Sequence, residues 1–232
     1  MGKSLGITLL LVGCSGGGSS GPVTIDNLGN ELSQLSCSKI FECCTSAEVM
    51  QQFMNITYNG QPITTEAQCE GFDEGLLNGL LVPEYKDAIA AGRIKYDGDA
   101  MRACLDAAAI LSCSAYGQLS GHEAVECSTP FIIPEVADGG ACAQSYECTS
   151  NNCDGASSSM ANGTCKPMPT EGQDCTDACA QGLYCGYDST AMKETCQALL
   201  PNGTMCSGSN QCTSNYCNGS MCTDRPATCD GQ

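Results

Sequence analysis

Apolar residues recur with helical spacing through the first half of the chain, from about Thr24 to Gly117. Leu28, Leu32 and Leu35 lie three to four residues apart, and the residues up to Phe41 continue the same apolar face. This spacing places side chains on one side of an α-helix, where they pack against a neighbouring element. The pattern predicts an amphipathic helix that begins near Leu28.

Polar residues and proline mark the ends of two further predicted helices. Thr65 and Gln68 have the spacing of a capping box, in which each side chain binds a backbone N–H of the other residue. Pro83 opens the next helix, and Gly92 ends it because glycine readily takes the left-handed conformation there. The first of these helices carries a stripe of four leucines, namely Leu76, Leu77, Leu80 and Leu81.

The sequence RIKYDGD leads into one more predicted helix, capped by Asp97 or Asp99. Its apolar positions are Met101, Cys104, Leu105 and Ala108. We expect the stripes of all these helices to form a small core, and none of them has the sequence of a cofactor-binding motif.

From Asp138 onward, cysteines recur in three similar stretches. These are GGACAQSYECTSNNC, GQDCTDACAQGLYC and GTMCSGSNQCTSNYC, and their first cysteines lie 33 and 31 residues apart. The shared sequence CTSN-x-C in the first and third stretch indicates duplication. Gly139, Gly172 and Gly203 each precede a cysteine by three residues. Tight turns are expected at Asn162-Gly163, Asn202-Gly203 and Asn218-Gly219.

Each repeat supplies four cysteines, which can form two disulfides in any of three pairings. The three sets are Cys142, Cys148, Cys153 and Cys165; Cys175, Cys179, Cys185 and Cys196; and Cys206, Cys212, Cys217 and Cys222. The helical part holds Cys37, Cys43, Cys44, Cys69, Cys104, Cys113 and Cys127, and Cys229 lies near the end.

Pairing in the helical part is partly constrained by position. Cys37 and Cys44 share a face of one predicted helix, whereas Cys43 and Cys44 diverge by about 100°. The adjacent pair is therefore expected to bond to two different partners, and a vicinal disulfide is the alternative. Cys229 either pairs with a leftover cysteine of the helical part, or one repeat exchanges a partner.

The predicted fold class is small and disulfide-rich. An N-terminal disulfide-stapled α-helical domain, residues 24–127, precedes a Cys-rich region, residues 128–232. That region holds three small repeats with short β-hairpins, near 139–165, 172–196 and 203–222.

Cysteine content indicates an oxidising compartment, because cytosolic thiols are kept reduced. The chain has no Trp, 4 Phe and 8 Tyr, so it has few bulky side chains for a core. Its 21 Cys are an odd number, and setting Cys14 aside leaves an even set. Structural zinc or an iron–sulfur cluster is the alternative, but such sites use C-x-x-C spacing, which the sequence lacks. We therefore predict disulfides and no metal.

The stretch LLLVGCSGGGSSG, Leu9–Gly21, begins within a short apolar run, Leu5–Val12, that follows one cation, Lys3. Residues 11–14, Leu-Val-Gly-Cys, resemble the cleavage box of bacterial lipoproteins, whose cysteine receives diacylglycerol and becomes the N-terminus. The resemblance implies a signal peptide over 1–13, a lipid anchor at Cys14 and a Gly/Ser tether over 14–23. It also implies an extracytoplasmic protein anchored to the cell envelope, at the outer membrane or cell surface. An ordinary secretory signal with a chance cysteine is the alternative.

The same stretch also matches two catalytic motifs. Gly16, Gly18 and Gly21 fit a dinucleotide fingerprint, and the residues GGSSG fit a nucleophile elbow. Both motifs need a strand before them and a helix after them. Here a run of Gly and Ser ends at Pro22, so we interpret both as chance matches.

The charge excludes one class of partner. The formal net charge is −17 at pH 7, which repels phosphate backbones and anionic lipid surfaces. Nucleic acid is therefore not expected to bind.

The layout of the whole chain resembles a known group. The stretch CTDACAQGLYC is similar to Dickkopf N-terminal-like cysteine repeats. The order of lipobox, AAGRIKYDGDAMRACL and G-x-x-C repeats is similar to a group of bacterial Cys-rich lipoproteins. Animal Dickkopf proteins are receptor antagonists, but only the cysteine framework matches, so the resemblance transfers no receptor-contact residue.

Candidate chemistry is sparse. His122, the only histidine, stands with Glu123 and Glu126 in a polar stretch typical of a solvated linker. Acidic residues near Asp97, Asp138 and Asp174 lack the alternating pattern of a calcium loop. The N-x-S/T acceptors Asn55, Asn162, Asn202 and Asn218 are formal glycosylation sites, of which the last three suit turns. We predict no catalytic residue and no cofactor.

Three functions remain open. The preferred one is a non-enzymatic surface lipoprotein that binds the membrane through Cys14 and presents loops to a protein or glycan partner, or serves a structural role. The second is a Cys-stapled inhibitor of an extracellular enzyme. The third is a carboxylate-based hydrolase, which would need a concave pocket with a perturbed acid pair.

Overall fold

The computed structural model describes residues 21–118, 127, 130–155, 163–176, 178–226 and 229. Its α-helices are α1 (Leu28–Cys43), α2 (Ser46–Gln52), α3 (Glu66–Leu76), α4 (Val82–Ala90), α5 (Gly98–Ala109) and α6 (Cys113–Gln118). A π-helical turn, Leu77–Leu81, joins α3 to α4. A search of these residues for a long, apolar, membrane-crossing helix finds none.

The strands are short and pair antiparallel. They are β1 (Thr57–Tyr58), β2 (Gln61–Pro62), β3 (Ile94–Tyr96), β4 (Ile132–Pro134), β5 (Ala141–Cys142), β6 (Cys153–Asp154), β7 (Gly163–Cys165), β8 (Leu183–Asp188), β9 (Lys193–Ala198), β10 (Cys217–Asn218) and β11 (Met221–Cys222). Their sheets are β1-β2, β3-β4, β5-β7-β6, β8-β9 and β10-β11. The prediction of a disulfide-rich chain with helices and small sheets is confirmed.

Ten disulfides link the described residues. They join Cys37–Cys69, Cys43–Cys113, Cys44–Cys229, Cys104–Cys127, Cys142–Cys153, Cys148–Cys165, Cys175–Cys185, Cys179–Cys196, Cys206–Cys217 and Cys212–Cys222. The adjacent cysteines Cys43 and Cys44 have different partners, and Cys229 bonds back to Cys44. One expectation is wrong: Cys44 is extended, with φ −90° and ψ 144°, because α1 ends at Cys43. Cys37 and Cys44 therefore do not share a helical face.

Two apolar clusters fill the helical part. One contains Val23, Leu28, Val82, Met101 and Leu105. The other contains Cys37, Ile40, Cys43, Cys44, Val49, Phe53, Ile63, Cys69 and Cys229. Cysteines of the disulfides make up a large share of this second cluster, so the bridges supply packing volume as well as cross-links.

Three of the predicted helix ends agree with the structure, whereas Pro83 does not open a separate helix, because the chain continues from α3 through the π turn into α4. The Thr65 hydroxyl accepts the Gln68 N–H, and the Gln68 side chain accepts the Thr65 N–H, which completes the capping box. Of the two candidates for α5, Asp97 is the N-cap, and its carboxylate accepts the N–H groups of Asp99 and Ala100. Gly92, with φ +68°, follows the last residues of α4 as predicted.

The leucine stripe differs from its prediction. Leu76 and Leu80 are 47% and 62% exposed, so the stripe does not enter the core as one face. A π turn holds more residues than an α turn, and it rotates the helix face between the buried residues Cys69 and Val82. Leu80, within the π turn, points outward on the continuous α3-π-α4 helix, and Leu76 is already exposed one residue before the turn begins.

The first residues of the described chain are fixed against α5. The Val23 N–H donates to the Gly98 carbonyl at 3.0 Å, and Arg102 Nε donates to the Gly21 carbonyl at 3.2 Å. A Cβ at Gly98 would collide with the Val23 carbonyl oxygen, so only glycine permits this approach. Residues 21–23 are therefore held at the N-terminal end of α5.

The helical part and the first repeat meet through the β3-β4 ladder and a buried ion pair. Arg93 Nε lies 2.8 Å from Glu147 Oε1, and the Glu147 side chain is 1% exposed. The Arg93 N–H is not aligned on this oxygen, so the contact is an ion pair without a hydrogen bond at Nε. Beside it, the rings of Tyr85 and Tyr146 pack edge to face at 5.1 Å. Burial is the main cause that raises the pKa of Tyr146.

Candidate binding surface of the Cys-rich repeats

The three repeats share one disulfide pattern. In each, the first cysteine bonds to the third and the second bonds to the fourth, with sequence separations of 10 to 17 residues. The two bridges of a repeat are interleaved, so each closes a loop that contains one end of the other. Segments this short cannot bury a large core, and the paired bridges replace one.

A glycine turn closes each repeat onto its last cysteine. Gly139, Gly172 and Gly203 have φ values of +88°, +77° and +89°, which glycine adopts without strain. Their N–H groups donate to the carbonyl oxygens of Cys165, Cys196 and Cys222 at 2.7, 2.8 and 2.8 Å. The residue after each glycine accepts the N–H of the same cysteine. This shared turn explains why a glycine stands three residues before the first cysteine in all three repeats.

The first and third repeats also share side-chain contacts. The hydroxyls of Ser145 and Ser209 accept the N–H groups of Cys153 and Cys217 at 3.3 and 3.1 Å. Side-chain oxygens of Glu147 and Gln211 accept the N–H groups of Ala143 and Ser207, both at 2.7 Å. The asparagines of the two CTSN sequences, Asn151 and Asn215, both have positive φ. These equivalences support the duplication indicated by the sequence.

The second repeat differs by its longer hairpin. β8 and β9 pair over six residues each, and the chain turns between Asp188 and Lys193. The Asp188 carboxylate accepts the N–H groups of Thr190 and Ala191, and these hydrogen bonds lower its pKa. Beside this turn, Tyr187 is 61% exposed and Met192 is 74% exposed. We call Tyr187 and Met192 the hairpin tip.

The third repeat exposes a different apolar pair. Met205 and Met221 face each other across an isolated antiparallel bridge, and they are 77% and 47% exposed. The hairpin turn between β10 and β11 consists of Gly219 and Ser220, with φ +56° and +82°. It is one residue later than the predicted Asn218-Gly219 turn, because Asn218 still belongs to β10.

A polar cleft of about 550 Å³ lies between the first and second repeats. Its polar lining includes Ser145, Asn152, Asp154, Lys166, Asp174 and Thr176. Asp154 pairs with Lys166, and Asp174 pairs with Lys193. The carboxylates of this cleft are thus already neutralised by neighbouring cations.

Several residues singled out in the sequence lie outside the described residues. They are Cys14, His122, Glu123, Glu126 and Asn162. Of the acidic residues, Asp97 is used as a helix cap and Asp174 faces Lys193. Among the acceptor asparagines, Asn55 has φ +68° and Asn202 donates to Asp224 at 2.6 Å. The structure brings no two of these described residues together into one site.

Among the described residues, two carboxyl groups have raised pKa values, and both lie on α3. Burial is the main cause for Glu70, with added repulsion from Glu66 and Glu74, and burial alone raises the pKa of Asp73. Neither carboxyl lines the cleft between the repeats. This cleft therefore does not contain the pair of carboxyl groups with raised pKa values that the hydrolase hypothesis requires.

No protein-family model matches the chain, and the searches of curated proteins and of solved structures likewise give no match. The resemblance to Dickkopf N-terminal-like repeats therefore still depends on cysteine spacing alone.

Proposed function

We propose that the chain is an extracytoplasmic lipoprotein, anchored through Cys14 at the outer membrane or cell surface, that binds a protein or glycan partner without catalysing a reaction. Residues 24–127 would form a helical disulfide domain, and residues 128–232 three Cys-rich repeats. The hairpin tip, Tyr187 and Met192, is the proposed contact surface.

The main support for this proposal is that the three repeats have the same backbone framework but expose different side chains. The three repeats share their disulfide pattern and glycine turn, but their exposed apolar residues differ. The hairpin tip protrudes from the second repeat, and the third presents Met205 and Met221. A fixed frame with variable loops suits recognition, because little conformational entropy is lost when a rigid loop binds.

The disulfides support the location. Ten bridges among described cysteines require an oxidising environment to form and persist. The odd cysteine, Cys14, is the one in the lipobox.

The anchor is tested by the intact mass of protein extracted from membranes. We expect a chain that begins at Cys14 with added acyl groups, no free thiol before reduction, and twenty alkylated cysteines after reduction. A chain that retains residues 1–13, or one without acyl groups, would contradict the anchor.

The contact surface is tested by photo-cross-linking on intact cells. We expect a photoreactive residue at position 187 to form discrete adducts, whereas the same residue at Ile110, which is 86% exposed and distant in sequence from the repeats, forms none. Excess unlabelled protein should abolish the adducts, and the Tyr187→Ala/Met192→Ala variant should compete at least tenfold less well, since about 1.4 kcal/mol corresponds to tenfold. Equal competition by the variant would overturn the proposed surface.

The same hairpin supports a second candidate function. A protruding turn held between two disulfides, Cys175–Cys185 and Cys179–Cys196, has the rigidity that enzyme inhibitors use. Assays against a panel of extracellular proteases distinguish this candidate. An inhibitor would reduce the activity of one protease in proportion to the amount of protein added, and the Tyr187→Ala/Met192→Ala variant would not.

A further inference from the structure

An uncharged, partly exposed face interrupts the acidic surface of the helical part. Residues 75–83, GLLNGLLVP, carry no charged side chain, and Glu74 and Glu84 flank them. Six of the nine are exposed, namely Gly75, Leu76, Asn78, Gly79, Leu80 and Pro83. We call five of them, without Asn78, the apolar face, because the Asn78 side chain packs against α1. Leu80, at 62% exposure, is its most exposed leucine.

The apolar face adjoins the start of the described chain. Lys86 of α4 forms an ion pair with Asp26, and Val82 belongs to the same buried cluster as Val23. At the other end of the π turn, Asn78 packs against α1 so closely that a Cβ at Gly29 would collide with its side-chain oxygen. The helix that carries the apolar face therefore packs beside the segment at which the chain enters the fold, with Asn78 and Val82 on its inner side and Leu76 and Leu80 on its outer side.

The short distance to the proposed lipid anchor indicates which partner this face would contact. Six residues lie between Cys14 and Gly21, and a Gly/Ser-rich sequence of this length has an expected root-mean-square span of roughly 15 Å. Gly21 itself is held by Arg102, so the fold cannot turn freely about this point. A lipidated Cys14 would thus keep the entry segment and its neighbouring surface close to the lipid head groups.

We propose that Leu76 and Leu80 insert into the interface of the membrane that holds the lipid anchor. This inference depends on the proposed lipidation of Cys14. Because Glu74 and Glu84 flank the face, the surface it fits is a zwitterionic lipid surface rather than an anionic one. Apolar side chains gain free energy by leaving water at such an interface, and the short tether supplies the proximity.

Tryptophan fluorescence tests the insertion directly, because the chain has no Trp of its own. The full, lipidated protein with Leu80→Trp is reconstituted into phosphatidylcholine vesicles, with and without brominated phosphatidylcholine. We expect the tryptophan of the vesicle-bound protein to emit at a shorter wavelength than the same tryptophan in the unlipidated Cys14→Ser form, measured in solution without detergent. We also expect the brominated lipid to quench its fluorescence strongly. Leu76→Trp is a second reporter, and both positions are exposed enough to accept the larger side chain.

Ile110→Trp is the matched control. Ile110 is 86% exposed and follows the last residue of α5, whose first residue, Gly98, binds Val23. Twelve helical residues, or about 18 Å, separate the two ends of α5. A tryptophan at position 110 should therefore remain in water, with no quenching by the brominated lipid.

Vesicle flotation, measured on the same samples, separates the two possible failures. If the proteins do not float, the anchor is wrong and the insertion is wrong with it. If they float but the Leu80→Trp and Leu76→Trp variants are quenched no more than the Ile110→Trp variant, the anchor holds and the insertion is overturned. A shift to shorter wavelength without vesicles that grows with protein concentration would instead assign the face to a second copy of the chain, and would also overturn the insertion.

Discussion

Replacement of Cys44 and Cys229 by serine is expected to lower the free energy of unfolding by about 4.5 kcal/mol. The bridge joins residues 185 apart in sequence, the largest separation of any disulfide among the described residues. The other bridges shorten the connecting path in the unfolded chain to roughly 75 residues, from which the loop-entropy relation gives the quoted value. Urea unfolding followed by circular dichroism, without reductant, measures the change.

The matched control is the removal of a short-range bridge. Cys206 and Cys217 are 11 residues apart, and the same relation gives about 3 kcal/mol for their bridge. A Cys44→Ser/Cys229→Ser variant that loses less stability than the Cys206→Ser/Cys217→Ser variant would contradict the entropic argument.

Glu48 offers a second readout of the same variant. Its carboxylate accepts the N–H of Cys229 at 3.0 Å and that of Thr45 at 2.7 Å, and these bonds lower the pKa of Glu48. The lowered pKa means that this group stabilises the fold at neutral pH and that its contribution is lost as pH falls through that pKa. Without the bridge, Cys229 is released, so NMR titration should show the pKa of Glu48 moving upward.

Arg93→Ala is expected to destabilise the protein by about 3 kcal/mol, because it leaves the buried Glu147 carboxylate without its cation. Glu147 is 1% exposed, whereas Arg93 is 27% exposed and remains partly hydrated, which places the effect at the lower end of the range for buried pairs. Thermal or urea unfolding measures the loss, and hydrogen exchange should locate it at the β3-β4 ladder.

The third repeat shows which second substitution should rescue this variant. Gln211 occupies the position of Glu147 there, and its neutral side chain accepts the Ser207 N–H just as Glu147 accepts that of Ala143. Arg93→Ala/Glu147→Gln should therefore recover about half of the lost stability, since no buried charge remains. Equal losses in the single and double variants would show that packing, and not charge, is the cause.

The sequence predicted those elements that depend on neighbouring residues. The Thr65 capping box, the Asp97 cap and the glycine turns each involve residues within a few positions, so their side-chain chemistry can be recognised locally. Two further local sequence patterns are also typical of the structures that they form. Thr45 and Glu48 form the capping box of α2, and Asn59-Gly60 forms the turn between β1 and β2.

Features that depend on distant residues could not be predicted. The pairing of Arg93 with Glu147 joins residues far apart in sequence, and the π turn that exposes Leu80 depends on the packing of α3 and of the turn itself against α1. The hairpin tip was missed for the same reason. Side chains alternate between the two faces of β8 and β9, but this alternation does not show which face is exposed to solvent. The sheet has only two strands, and the residues that cover one of its faces come from elsewhere in the chain.

The bridge from Cys44 to Cys229 also determines what proteolysis can achieve. Every peptide bond between Cys37 and Cys229 lies within a loop closed by Cys37–Cys69 or Cys44–Cys229. One cut in that span leaves both fragments covalently joined, so the nicked protein stays a single covalent molecule until it is reduced. To detach the repeats from the residues before Cys37, a single cleavage must fall on the N-terminal side of Cys37.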